Sequence, residues 1–374
     1  MSSSSASPAP SASSPSSAEP IRVGIVGLGN WARHGHLRVL SLLPAYALTA
    51  IHSRREVAAR AAAAEYGIKH VVGSLDALVN HPEVDLVVVL NTAPQHADTV
   101  RAAIAAGKDV YCEWPLTTSV ENSSELVRLA AAAGVRTIVG LQRRLAPHNR
   151  YLASLLKQGY VGKLRSVRMH VSTRAFQAHR PQALAWTAPP QNFSSAIAIY
   201  AGHFLDMLFT ATGWPDRSVG VALNQFKEIT ITDTGEKIPT TNPDQLVVAG
   251  TIGGAVVSIH VEAGKRNGAG VQIDITGDEG DLRIVNTSAF GDVGDDYRIF
   301  GARGEAQPLV ELPVPKTDDR IPESALPSAV LELAELYAAY ASDVATGGHT
   351  APVFEDAVVL HRFLDEATRE FRAA

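Results

Sequence analysis

The stretch RVGIVGLGNWA, Arg22 to Ala32, limits the possible folds most strongly, because a β-type apolar run passes without a spacer into Gly27, Gly29 and Ala32. Gly27 can make the tight turn at the strand end, bare main chain at Gly29 lets N–H groups approach a phosphate, and small Ala32 lets the next helix pack on its strand. The helix N-terminus adds unpaired N–H groups and partial positive charge. An unliganded strand-to-helix turn uses the same glycines, so the flanking sequence must decide between the two.

It does so by repeating the alternation. After RVGIV comes a helical stretch to about Leu43, then ALTAI, the helix REVAARAAAAEYG, HVV, and DLVVVL leading to Asn91 and Thr92. Pro94 opens a helix that Gly107 closes, DVYCE precedes a helix from about Val120 to Ala133, and RTIVGL is a sixth strand. Near-continuous apolar strands separated by helices predict a doubly wound parallel sheet, an α/β Rossmann domain over residues 21–147. The chain has 374 residues, enough for a second domain over 148–374. There the helix YLASLLKQG leads to the strand LRSVRMHVST and a Pro-rich loop from Arg180 to Gln191. Hairpins are predicted around Gly253 and Gly254 and in VQIDITGDEGDLRIV, so this half reads as α+β with a mainly antiparallel sheet. Helical periodicity from Ala329 to Ala345 and Phe354 to Phe371 predicts two helices that cover that sheet or return to the first domain.

Composition narrows the partners. Net charge is −5 with no long block of either sign, which leaves no electrostatic footprint for nucleic acid or anionic lipid. No apolar run reads as a bilayer span, and residues 1–20, nearly all Ser, Ala and Pro, read as a disordered tail without a signal or transit pattern. Cys112 is the single cysteine, so an intramolecular disulfide is impossible, no metal is expected, and a reducing, cytoplasmic setting fits. His34 and His36, on the first helix, read as a solvated face, and Cys112 as a small buried apolar residue. Small molecules are the expected partners.

At the end of the second strand, where a carboxylate would bind the ribose hydroxyls of NAD, stand His52, Ser53, Arg54 and Arg55. A hydroxyl and a guanidinium suit a 2′-phosphate, so NADP is favoured, with NAD the other candidate.

The segments NTAPQH, GKDVYCEWPL, GLQRRLAP and GDEGDLRI follow the glycine turn in an order that resembles the Gfo/Idh/MocA family of NAD(P)-dependent oxidoreductases, from about Ile21 to the end. The resemblance implies dinucleotide contacts from Gly27, Gly29, Asn30, Trp31, Ala32, Ser53, Arg54, Asn91, Thr92, Pro94, His96, Glu113, Trp114 and Gln142. It also shows two departures. Family members usually carry Glu-Lys-Pro after the fifth strand, where this chain has Glu113, Trp114 and Pro115, and an Asp four residues before a helical His, where it has Ile199 before His203. Those replacements resemble the galactose-pathway-repressor-like branch.

His203 is the candidate acid/base and Tyr200, three residues earlier on the same helix face, its candidate assistant; Arg143, Arg144 and His179 are candidate substrate ligands. A structural histidine tied to Asp206 and an interdomain ion pair of the arginines are the competing assignments. Two functions follow: an oxidoreductase for a sugar, polyol or related carbonyl/alcohol, or a catalytically silent dinucleotide-binding regulator that engages a protein partner and works in the nucleus. The family resemblance also implies a homodimer or higher homo-oligomer.

Overall fold

The computed structural model describes residues 19–289, 297–315 and 326–369. Residues 1–18 of the expected tail and the expected helix end at Phe371 lie outside them. Six parallel strands, β1 (Ile21–Val26), β2 (Tyr46–His52), β3 (His70–Val71), β4 (Leu86–Val89), β5 (Asp109–Cys112) and β6 (Thr137–Val139), form a sheet of order 3-2-1-4-5-6. A π-type turn (Ala32–Leu37) runs into α1 (Arg38–Leu42), and α2 (Glu56–Tyr66), α3 (Leu75–Val79), α4 (Ala93–Ala105) and α5 (Val120–Ala133) make the remaining connections. Strand order reverses between β1 and β4, which opens a crevice beyond their carboxyl ends. Gly27, at φ +96°, is required there: a Cβ would lie 2.8 Å from the Asn91 amide nitrogen.

After α6 (Pro147–Lys157) the chain enters an eight-stranded sheet. Its strands are β7 (Leu164–Ser172), β9 (Arg217–Leu223), β12 (Gln245–Ile252), β13 (Ala255–Glu262), β14 (Gly270–Gly277), β15 (Gly280–Asn286), β16 (Arg298–Arg303) and β17 (Val310–Glu311). All neighbours are antiparallel except β7 and β13. Alternation decides its faces: Val167, Met169, Leu246, Val248, Val257 and Ile259 are buried, whereas Val219, Val221 and Val247 point outward and are exposed. The Pro-rich stretch is more ordered than a surface loop. It holds 3-10 turns, and β8 (His179–Arg180) pairs with β10 (Glu228–Ile231), which pairs with β11 (Lys237–Pro239), a small sheet that the sequence reading does not anticipate.

Residues Pro190–Thr212, ending in a π-type turn (Ile197–Ala201) and α7 (Gly202–Thr212), are long and apolar enough to cross a membrane, contrary to the sequence reading. The stretch is a core element, with 83% of its most apolar 18-residue window buried. The last helices, α8 (Ser328–Thr346) and α9 (Phe354–Ala367), return to the first sheet. Leu333, Leu336 and Tyr337 of α8 join the core that holds Val23, Leu37, Leu40 and Tyr111, and the Val139 N–H donates to the Pro352 carbonyl at 2.9 Å.

Candidate functional site

Two adjoining cavities occupy the crevice. One of about 800 Å³ is lined by Gly27, Gly29, Ser53, Arg54, Arg55, Asn91, Thr92 and Pro94. The other, about 1060 Å³, is lined by Gly29, Asn30, Trp31, Ala32, Asn91, Thr92, His96, Glu113, Trp114, Gln142, Tyr200 and His203. A Cβ on Gly29 would meet nothing within 4 Å, so the main chain here is open to a ligand. Asn91 Oδ1, Gln142 Oε1 and His203 Nδ1 are shut off from solvent and have no hydrogen-bond partner among the described residues, three unmet polar groups on one cleft. Unsatisfied buried groups are costly, so this set fits a bound molecule that brings amide or hydroxyl donors, while the open main chain at Gly29 suits a phosphate. On the outer lip, the Arg55 guanidinium donates to the Leu28 carbonyl and its N–H to Ser53 Oγ, while Arg54 is exposed.

Glu113 belongs to a buried network. His36 Nε2 and the Tyr111 hydroxyl both bond its Oε1, and His36 Nδ1 lies 2.7 Å from the Tyr337 hydroxyl on α8. Burial opposes ionisation of Glu113, but the pull of His36 and the Tyr111 hydrogen bond together with His203 outweigh it and hold the carboxyl below its ordinary range. His36 is thus fully buried rather than solvated, while His34 is exposed as read. His96 turns both ring nitrogens to main-chain carbonyls, those of Asn91 and Pro115, each at 2.9 Å, and so braces the loops after β4 and β5. Burial lowers its pKa.

Trp114 is buried, and its indole N–H donates to the Ala198 carbonyl at 2.8 Å inside the wide turn before α7. Gly202 makes room for it: a Cβ there would collide with indole Nε1 and Cε2. Gly202→Ala should therefore cost about 1–3 kcal/mol by overpacking and shift tryptophan emission. Unchanged urea unfolding and an unchanged spectrum would mean the indole has another place to go.

His203 lines the cleft, and neither ring nitrogen is hydrogen-bonded among the described residues. Burial, then the Arg143 guanidinium, push its pKa down to about 4, against a smaller upward pull from Glu113. The imidazole is neutral at pH 7 and able to accept a proton. Asp206 does not engage it, being bound to Arg144 instead. Tyr200 lines the same cavity with its phenol pushed up to about 12, chiefly by burial, so it remains protonated.

Two of the expected substrate ligands, Arg143 and Arg144, need correction. Arg143 is 1% exposed, donates to the Tyr297 hydroxyl at 3.0 Å, lies 3.6 Å from Glu332 and stacks 4.7 Å from the Phe204 ring centroid. Arg144 bonds both carboxylate oxygens of Asp206 and sits 3.0 Å from Asp356. Both guanidiniums are ion-paired, and neither lines the cleft. His179 is exposed and lines a smaller cavity that adjoins the cleft along Leu184, Trp186, Ile199 and Tyr200. Among the described residues no group of three or more His, Cys, Asp or Glu is placed to hold a metal.

A parallel 3-2-1-4-5-6 sheet with a bare glycine turn at its switch point defines a dinucleotide-binding Rossmann protein. Residues 21–141 match the family described as "Oxidoreductase family, NAD-binding Rossmann fold" (GFO_IDH_MocA), and residues 147–286 match "Gal80p, C-terminal domain". The chain is 30% identical over 254 residues to dehydrogenase aclE of Aspergillus oryzae, covering 64% of this chain and 69% of that protein. It is 25% identical over 317 residues to the galactose/lactose metabolism regulatory protein GAL80 of Saccharomyces cerevisiae, covering 78% and 73%. A solved levoglucosan dehydrogenase, in complex with NADH and levoglucosan, superposes with a TM-score of 0.82 at 18% identity over 95% of this chain and 98% of that one. The chain belongs to the Gfo/Idh/MocA oxidoreductase family and has a C-terminal region of the Gal80p type.

Proposed function

We propose that this protein is an NAD(P)-dependent oxidoreductase, NADP favoured, that acts on the CH–OH or carbonyl group of a sugar or polyol. The observation that carries the reading is the neutral His203, without a hydrogen-bond partner among the described residues, on the wall of the cleft that begins at Gly29. Bound nicotinamide supplies hydride transfer. His203 takes the alcohol proton in the oxidative direction and returns it in the reductive one, and the Tyr200 hydroxyl helps to orient the substrate oxygen. Asn91 and Gln142 offer acceptors to the cofactor, and Ser53 and Arg54 offer a hydroxyl and a charge to a 2′-phosphate. Titration with NADPH and NADH, followed by a panel of sugars, polyols and aldehydes, tests this. The expected result is tighter NADPH binding and turnover of at least one substrate; equal affinities remove the NADP preference, and silence across the panel removes the enzyme.

One observation favours a second reading. Trp114 stands where the family resemblance places a lysine, and its indole can only donate, to a carbonyl it already holds. With Ile199 at the family Asp position, His203 would act without its usual partners. Cofactor binding with no turnover, beside capture of a defined protein partner, is the outcome a silent regulator predicts.

For assembly we propose that a second copy packs on the open face of the eight-stranded sheet, where Val219, Val221, Leu223, Val247 and Val256 are exposed together on β9, β12 and β13. Sedimentation at micromolar concentration should give a dimer or larger species. Monomer alone removes this interface.

A further inference from the structure

A buried guanidinium stands beside the cleft without a carboxylate bonded to it. Arg180 is 6% exposed; its Nε donates to the Gln177 carbonyl at 3.1 Å, its Nη1 to Thr187 Oγ1 at 2.9 Å, and its carbon Cζ lies 4.8 Å from the Phe176 ring centroid. Among the described residues it has no ion-pair partner. Asp244 acts on it only from a distance, its Oδ2 taken by the N–H groups of Gln225 and Phe226, and burial prevails, pushing the Arg180 pKa down to about 10. A desolvated cation held in this way is a cost to the fold unless an anion comes to it.

The space for one is present. A cavity of about 360 Å³ is lined by Phe176, His179, Arg180, Trp186 and Tyr200, with Arg174 exposed at its edge. Leu184, Trp186, Ile199 and Tyr200 line this cavity and the larger cleft of His203 alike, so the two meet across that wall.

We propose that this cavity is a subsite for the carboxylate of an acidic sugar or polyol, an aldonate or uronate, whose alcohol or carbonyl end lies in the cleft at His203. Arg180 Nη2, which has no acceptor among the described residues, meets the anion; Trp186 and Tyr200 flank the carbon chain between the two ends. A carboxylate suits the site better than a phosphate because one buried cation with two of its three nitrogens already bonded matches a monoanion. The inference rests on the oxidoreductase reading and specifies its substrate.

The test is calorimetric binding to the dinucleotide-loaded protein of matched pairs, glucose with glucuronate and sorbitol with gluconate, plus glucose 6-phosphate, alongside hydride transfer with each. The wild type should bind at least one acid about 10- to 100-fold more tightly than its neutral counterpart. Arg180→Gln should erase that difference and Arg180→Lys restore part of it, with the thermal midpoint and dinucleotide affinity reporting that each variant is folded. Because the wild-type comparison needs no variant, a misfolded Arg180→Gln leaves the test intact. No acid preferred over its neutral counterpart, or a preference that survives in folded Arg180→Gln, overturns the proposal; stronger binding of the phosphate overturns the carboxylate. Acid-selective binding without turnover sinks the enzyme and keeps the subsite, whereas turnover of neutral sugars without acid preference does the reverse.

Discussion

His203→Ala should lower kcat/KM by about 10²- to 10⁴-fold on any substrate the panel finds, the usual loss when a positioned proton acceptor is removed, while dinucleotide affinity stays within a few-fold. The pH profile adds a second readout. With a folded-state pKa of about 4 against an ordinary 6.5, His203 remains a base through the neutral range, so the acid limb assigned to it lies near 4. The same depression affects stability: the unfolded chain takes up a proton that the folded one refuses, so the contribution is complete above about 6.5 and lost as pH falls toward 4. An acid limb near 6.5, or full activity in His203→Ala, would move the proton transfer to another group.

Arg144→Met should destabilise the protein by about 3–5 kcal/mol, because it leaves Asp206 buried without its counter-charge. Asp206 is inaccessible, and burial raises its pKa against the opposing pull of Arg144, so loss of the guanidinium would leave an acid with little to keep it ionised. Arg144 follows β6, Asp206 lies on α7 and Asp356 on α9, so a single side chain ties the first sheet to the core helix and the C-terminal one. Urea unfolding measures the loss. Arg144→Met with Asp206→Leu should recover much of it, since an apolar pair of similar volume escapes the desolvation cost. A single-variant loss below about 1 kcal/mol would mean the pair is hydrated.

The first sheet and its glycine turn are legible in the sequence because their causes are local: strand runs, Gly27 at positive φ and helix-opening Pro94 all act within a few residues. That Tyr200 and His203 line one cavity has an equally local cause, since they stand three residues apart on one helical stretch. What could not be read is fixed by distant partners. His36 is buried because Tyr337, 301 residues later, meets its ring, and no neighbour in the chain announces that. Arg143 and Arg144 resemble substrate ligands by position after β6, yet Glu332, Asp206 and Asp356, far along the chain, capture them. From the sequence, Arg180 in the Pro-rich loop has two open assignments, the cleft mouth or a surface loop. Only the pairing of β8 with β10 and the turn at Thr187 enclose it.

The return of α8 to the first sheet affects how the molecule is made. Leu37, Leu40 and Tyr111 leave the ribosome long before Leu333, Leu336 and Tyr337, the residues that seal them. Until translation reaches that helix the nascent α/β layer presents an oily flank and the Glu113 network lacks its tyrosine. A premature stop ahead of residue 328 would therefore release a sticky product, a natural client for chaperones and proteases, instead of a smaller working protein.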